Sequence, residues 1–81
     1  MCVSIPKQVT IDGKLVEASI DLHRSGSWSL DYEDDGFMNR AIILTKSDYE
    51  KGNYLSHNLI EVEIDNVSFK GEVLSGYKIE E

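Results

Sequence analysis

The chain has 81 residues, of which 41% are hydrophobic, and its net charge at pH 7 is −7. This length allows a single domain, residues 1–81, with a thin core, and the hydrophobic content is too high for a disordered chain. The acidic balance disfavours direct binding to nucleic acid or to anionic membranes, because basic patches recognise both. Solubility is the simplest explanation of the acidic composition, and the alternative is a surface that meets a basic partner or mimics a polyanion.

Three features bear on the location of the protein. No run approaches the ~20 apolar residues that a membrane-spanning helix needs. Residues 1–11 have neither a long apolar core nor a small-residue cleavage pattern, so they do not match a signal peptide. Cys2 is the only cysteine, which excludes an internal disulfide. The sequence predicts a cytoplasmic protein in a reducing compartment.

A first hairpin is predicted near the N-terminus. Val9 and Ile11 share one face of a strand, and Asp12-Gly13 favours a type I′ turn, which needs a positive φ at both central residues. The returning strand alternates apolar and polar residues, with Val16, Ala18, Ile20 and Leu22 on one face. Only a loop with an even number of residues places both apolar sets on the same side of the sheet.

A third strand is predicted after a turn at residues 24–27. Trp28, Leu30 and Tyr32 alternate there with polar residues, so their side chains share one face. Residues 34–36, Asp-Asp-Gly, end the strand. We expect Trp28 to lie in the core, because so small a domain needs every large apolar side chain.

A fourth strand and a helical turn follow. Residues 41–45 are a short apolar and β-branched run, which favours a strand buried on both faces. Ser47 and Glu50 fit a capping box, in which each side chain bonds to a free backbone N–H. Gly52 follows closely, so a single helical turn is predicted over residues 47–51.

The second hairpin repeats the pattern of the first. Asp65-Asn66 forms a two-residue turn between two alternating strands. The resulting register pairs Ile64 with Val67, Val62 with Phe69, Ile60 with Gly71 and, on the opposite face, Glu61 with Lys70.

The returning strand of this hairpin is long. Its apolar face continues past Gly71, which predicts that Phe69 and Tyr77 lie in the core. Gly71 opposite Ile60 suggests a bend or bulge that helps a barrel to close. The chain as a whole predicts an all-β fold, an antiparallel barrel or sandwich of five to six strands with one short helical turn.

One segment has the beginning of a calcium-binding pattern. Asp31, Glu33, Asp35 and Gly36 match the opening of an EF-hand loop. The twelfth position of such a loop should be a bidentate glutamate, and it is Ile42 here. A solvated acidic turn explains the segment better, and no calcium site is predicted.

No other pattern predicts a metal, a cofactor or a catalytic centre. Cys2, His23 and His57 share no metal-ligand spacing with one another. Phosphate-binding loops, nucleophile elbows and paired cysteines are absent from the sequence. A serine or cysteine nucleophile with a histidine base has no positive support, so we predict a protein that is not an enzyme.

An aromatic and acidic segment is the best candidate for a partner-binding surface. Aromatic side chains dominate the binding energy of protein interfaces, and carboxylates select basic partners. The candidate residues are Trp28, Asp31, Tyr32, Glu33, Asp34 and Asp35.

The C-terminal half also has a recognisable order of elements. A strand at residues 41–45 leads into the short acidic turn at 46–50, and Lys51-Gly52 and a loop precede the hairpin at 59–69. This order resembles small tailed-phage head–tail joining proteins of the FII type, over residues 41–79. The resemblance implies a β-barrel monomer that assembles as a ring at the phage neck, without catalysis.

The leading functional hypothesis is therefore a phage structural connector that acts through protein contacts. The alternative is a small acidic inhibitor, such as a counter-defence or nucleic-acid-mimic protein, whose acidic face occupies a basic groove on a host protein. A third possibility is a nucleotide or other small-ligand binder formed between subunits, for which Arg24, Arg40 and Lys46 are the available cations.

Overall fold

A computed structural model describes residues 3–79 of the chain. The elements, in chain order, are strands β1 (Val3–Ile11), β2 (Lys14–Leu22), β3 (Trp28–Asp34) and β4 (Phe37–Ile43), helix α1 (Lys46–Lys51), a 3₁₀ turn (Ser56–Asn58), and strands β5 (Leu59–Ile64) and β6 (Val67–Lys78). The six strands are all antiparallel to their neighbours and close into a barrel in the order β1-β2-β3-β4-β6-β5. The predicted all-β fold is confirmed, in its barrel form.

Two-residue turns build both predicted hairpins. Asp12 and Gly13 have φ values of 49° and 85°, and Ile11 pairs with Lys14 across the turn. Asp65 and Asn66 have φ values of 50° and 69°. The predicted register of the second hairpin is confirmed in full, from Ile64 opposite Val67 to Ile60 opposite Gly71.

A third turn of the same kind joins β3 to β4. Asp35 and Gly36 have φ values of 53° and 83°, and Asp34 pairs with Phe37. The fourth strand therefore begins at Phe37, whereas the apolar run predicted a start at residue 41. Ala41 is fully buried in this strand and Ile42 is half-buried, so the strand is not buried on both faces.

The core lies inside the barrel and comes from the inward residues of five strands. Leu30, Val9 and Val62 are the largest side chains that are completely buried. The other buried hydrophobic residues are Ile11, Val16, Ala18, Ile20, Tyr32, Ala41, Ile60 and Ile64. Ile43, Phe69 and Val73 pack against them.

Trp28 shares the strand face of Leu30 but remains 42% exposed, so its predicted core position is wrong.

Helix α1 begins earlier than predicted. Thr45 is its N-cap, and the Thr45 hydroxyl accepts a hydrogen bond of 3.0 Å from the Asp48 backbone N–H. Ser47 lies within the first turn instead of capping it. Thr45 occupies the N-cap position in place of Ser47, and its backbone is extended there, with ψ at 159°, as an N-cap requires. Gly52 ends the helix with a φ of 72°.

Strand β6 contains a bulge that reverses the direction of its last side chains. Ala41 of β4 pairs with Val73, but the next residue, Arg40, pairs with Ser75, so Leu74 is one extra residue on β6. Regular alternation from Val73 would point Tyr77 inward. The extra residue instead turns Tyr77 outward, where it is 66% exposed. The predicted core position of Tyr77 is therefore wrong.

The bulge does not lie at Gly71, where the sequence suggested it. Gly71 stays in register with Ile60 on one side and with Ile43 on the other. A Cβ at this position would lie 3.2 Å from the Ile42 carbonyl oxygen and 3.3 Å from a side-chain carbon of Ile60. Glycine is therefore used there for close packing of neighbouring strands.

The barrel closes through a short contact between β1 and β5. Only Thr10 and Ile11 of β1 pair with β5, at Glu63 and Val62. Within residues 3–79, the same edge of β1 has no partner strand from Val3 to Gln8.

Pro6 hinders the pairing of a further strand with this free edge. Ile11 and Lys14, which flank the first turn, form a hydrogen-bonded pair, so the backbone N–H and C=O groups of odd-numbered β1 residues point towards β2. The backbone groups of Ser4, Pro6 and Gln8 therefore point to the free edge. Pro6 has no N–H and cannot complete a ladder with an added strand. The edge is thus protected against pairing with another chain.

We predict that Pro6→Thr increases self-association. The substitution adds an N–H donor in the middle of the free edge, and threonine favours strand structure. Sedimentation velocity over a range of concentrations should show larger species for Pro6→Thr than for the unchanged protein. Gln8→Thr is the control, because it changes the same edge without adding a donor. Equal behaviour of all three proteins would refute the protective role of Pro6.

Candidate functional site

The structure divides the predicted partner-binding residues into separate groups. Tyr32 is 4% exposed and belongs to the core, where burial raises the pKa of its hydroxyl and the nearby Asp34 and Asp12 carboxylates act in the same direction. Trp28 lies at one end of β3, and Asp34 and Asp35 lie at the other. The six residues therefore do not form one surface.

The carboxylates of this segment also have different partners. Asp31 accepts a hydrogen bond of 3.0 Å from Arg40 Nε, and Asp34 forms a 2.6 Å ion pair with Lys14 Nζ. Glu33 and Asp35 are exposed, and neither makes an ion pair with any residue in the described range 3–79. Only part of the predicted acidic face is thus available to a partner.

Two concave regions on the outside of β3, β4 and β6 form the most developed site. One has a volume of about 410 Å³ and the other about 350 Å³, and Arg40 lines both. We name the combined region the bulge groove. Its main lining residues are Trp28, Asp31, Met38, Arg40, Leu74 and Tyr77.

The β6 bulge places Tyr77 in this groove. Tyr77 and Met38 form a cross-strand pair on the outer face, and Tyr77 is there only because Leu74 shifts the alternation. Leu74 is itself 57% exposed, on the other side of Arg40. Two large side chains that regular alternation would not place together thus lie on one outer surface.

The charge of Arg40 is compensated within the groove. Its guanidinium contacts two carboxylates, Asp31 at 3.0 Å and Asp21 at 3.4 Å, and these raise the pKa of Arg40. Two negative charges therefore face one positive charge, which leaves the cluster with a net charge of −1. This arrangement disfavours an anionic ligand at Arg40.

Asp21 is unusual because its carboxylate is buried on the outer face of the sheet. It is 5% exposed, and it accepts a 2.5 Å hydrogen bond from the Ser4 hydroxyl. The Ser4 hydrogen bond is the main cause that lowers the pKa of Asp21, and the charge of Arg40 adds to it, although burial acts in the opposite direction. Asp21 therefore remains ionised at neutral pH and holds Arg40 in place.

A histidine–serine contact lies beside this cluster. His23 Nε2 is 2.7 Å from the Ser29 hydroxyl, and both residues line the smaller concave region. Ser29 lies within a regular strand and is 6% exposed. A nucleophile usually lies on an exposed turn with donors for an oxyanion, so we assign a structural role to the contact.

The remaining candidate residues do not converge. His57 lies in the 3₁₀ turn, whereas His23 follows β2, and Cys2 lies outside the described residues. Within residues 3–79, no group of three histidine, cysteine or acidic side chains is arranged to hold a metal ion. Among the candidate cations for a nucleotide, Arg40 is bound to carboxylates, and Arg24 and Lys46 lie in separate segments.

We predict that Ser4→Ala makes the protein more sensitive to acid. A carboxyl group with a lowered folded-state pKa stabilises the fold above its unfolded pKa, near 4, and this contribution is lost as the pH falls through the folded pKa. Removing the Ser4 hydroxyl should raise the pKa of Asp21, so that stability is lost at a higher pH.

A carbon NMR titration of the Asp21 carboxyl group and urea unfolding at neutral and acidic pH would test this prediction. Ser68→Ala is the control, because Ser68 is exposed on β6 away from Asp21. An unchanged Asp21 pKa in Ser4→Ala would show that the hydroxyl does not stabilise the carboxylate.

Sequence reasoning missed Arg40 as the centre of the groove, and it missed Met38, Leu74 and Tyr77 as surface residues. One signal was available: Val73 and Leu74 are adjacent apolar residues, which interrupts the alternation of β6. Such an interruption is typical of a bulge.

Comparison with family models, with curated proteins and with solved structures finds no match. Among residues 3–79, no helix is long and apolar enough to span a membrane. Inference about function therefore begins from the exposed surfaces of the barrel itself.

Proposed function

We propose that this chain is a non-enzymatic structural protein that acts through protein–protein contacts, as a ring-forming subunit of the phage head–tail connector type. One observation carries the proposal. Val3, Leu22 and Trp28 are cross-strand neighbours at one end of the barrel, and they are 54%, 40% and 42% exposed. Ile5, two residues along β1, is 51% exposed. We name these four residues the apolar row.

The apolar row has the properties of a contact surface. Its members come from three adjacent strands, so they form a continuous patch instead of isolated surface residues. Contiguous exposed apolar patches are typical of interaction sites. A small barrel also gains buried area when a second copy covers the row, which supports the stability of so thin a core.

The form of the barrel restricts how copies can associate. Pro6 hinders strand pairing at the free edge of β1, next to the apolar row, so contact between copies at the row uses side-chain surfaces. A ring requires that one surface of a subunit meet a different surface of the next subunit. The apolar row supplies one of these surfaces.

We predict that the purified protein forms oligomers and that Leu22→Ser weakens them by about tenfold or more, as for a central apolar interface residue. Mass photometry or sedimentation velocity would measure the assembly. Leu15→Ser is the matched control, because Leu15 is 63% exposed and lies on the same strand outside the row. A strict monomer at high concentration, also in the presence of its phage neck neighbours, would contradict the proposal.

An acidic inhibitor is the second candidate. It is favoured by Glu33 and Asp35, which are exposed near the turn between β3 and β4 and make no ion pair within residues 3–79. Binding to a basic host protein should then be fast and salt-sensitive. We expect the double variant Glu33→Lys with Asp35→Lys to abolish capture of such a host protein, and retained affinity would exclude this candidate.

A further inference from the structure

The bulge groove is a second contact surface, separate from the apolar row except at Trp28. We propose that it binds an extended segment of a partner protein that carries an arginine or lysine next to an apolar side chain. The inference rests on the proposed contact function, but it concerns a different surface and a partner other than a second copy.

The first argument is shape. The two concave regions are open depressions with volumes of about 410 and 350 Å³, each large enough to receive one side chain. They meet at Arg40, so an extended segment can place one side chain in each region.

The second argument is charge. Arg40, which lines both regions, already contacts Asp31 and Asp21, and the cluster of these three residues has a net charge of −1. Asp31 remains about one-third exposed, so its carboxylate can accept further hydrogen bonds. The whole chain has a net charge of −7, which attracts a basic partner.

The third argument is the chemistry of the walls. Tyr77 presents an exposed ring in the region that Asp31 also lines, so this region offers a cation both an aromatic face and a carboxylate. Trp28, Leu74 and Ile42 line the other region, which suits an apolar side chain. A basic residue beside an apolar residue matches both regions at once.

Synthetic peptides with blocked termini would test this proposal. The probes are one alternating arginine–leucine peptide and one alternating glutamate–leucine peptide of the same length. Backbone amide NMR of the full chain would follow binding and locate it. We expect the arginine peptide to shift amide signals of residues 38–40 and 74–77, and to bind about tenfold more weakly when salt screens the charges.

Variants separate the groove from other acidic surfaces. Tyr77→Ser removes the exposed ring, and Asp31→Asn removes the negative charge of the partly exposed Asp31 carboxylate. Each should weaken the arginine peptide by about fivefold or more, as loss of an aromatic or charged anchor does. Leu15→Ser and Glu63→Gln are the matched controls, because both residues are exposed and lie outside the groove. Neither control should change the affinity.

Four results would overturn the inference. The first two are stronger binding of the glutamate peptide than of the arginine peptide, and amide signal shifts by the arginine peptide that lie outside the groove. The third is an unchanged affinity of Tyr77→Ser for the arginine peptide. The fourth is loss of self-assembly in Tyr77→Ser. The last result would identify a second copy as the occupant. A chain that stays monomeric but binds the arginine peptide in the groove would contradict the ring proposal and leave this inference standing, so failure of the ring proposal and failure of this inference are distinguishable.

Discussion

The extra residue in β6 determines which of the last side chains of this strand face the solvent. Up to Val73, the strand follows regular alternation, and its inward residues complete the core beside Ala41. After Leu74 the alternation is reversed, so Tyr77 points outward beside Met38. The aromatic wall of the bulge groove, formed by Tyr77 beside Met38, depends on this reversal. A single backbone irregularity therefore connects the fold to the proposed partner surface.

The second constraint on the structure is the closure of the barrel between β1 and β5. Because β1 and β5 pair only at Thr10 and Ile11, the turn regions must strengthen the closure. Asp12 does so twice: its N–H donates to the Glu61 carbonyl at 2.9 Å, and its carboxylate accepts from the Glu61 N–H at 2.8 Å. Lys7 adds a 2.9 Å ion pair to Asp65 in the second turn. The turn aspartates thus hold the barrel closed as well as reversing the chain.

Local rules explain what the sequence could predict. The hairpin registers follow from turn length and apolar parity within about a dozen residues, so Ile60 opposite Gly71 and Glu61 opposite Lys70 were predictable. The third turn was missed as a hairpin because the residues after it, Phe37 to Arg40, do not alternate clearly.

Other features depend on contacts that no local pattern contains. Trp28 and Tyr32 share a strand face, yet one is exposed and the other buried, because the core covers only the middle of the strand. The position of the bulge depends on how β6 meets β4, and barrel closure joins strands that are distant in sequence. The candidate site could therefore be predicted only in part: Trp28 and Asp31 line the groove, but Arg40, Leu74 and Tyr77 required the tertiary fold.

The direction of the Tyr77 side chain is the most direct test of this account. Nuclear Overhauser effects from the Tyr77 ring would measure it in solution. The account predicts contacts with the side chain of Met38, its outer-face partner, and none with the methyl groups of Leu30 or Val9 in the core. Contacts between the Tyr77 ring and those core methyl groups would mean that β6 alternates without a bulge, and they would contradict both the groove and the partner surface inferred from it.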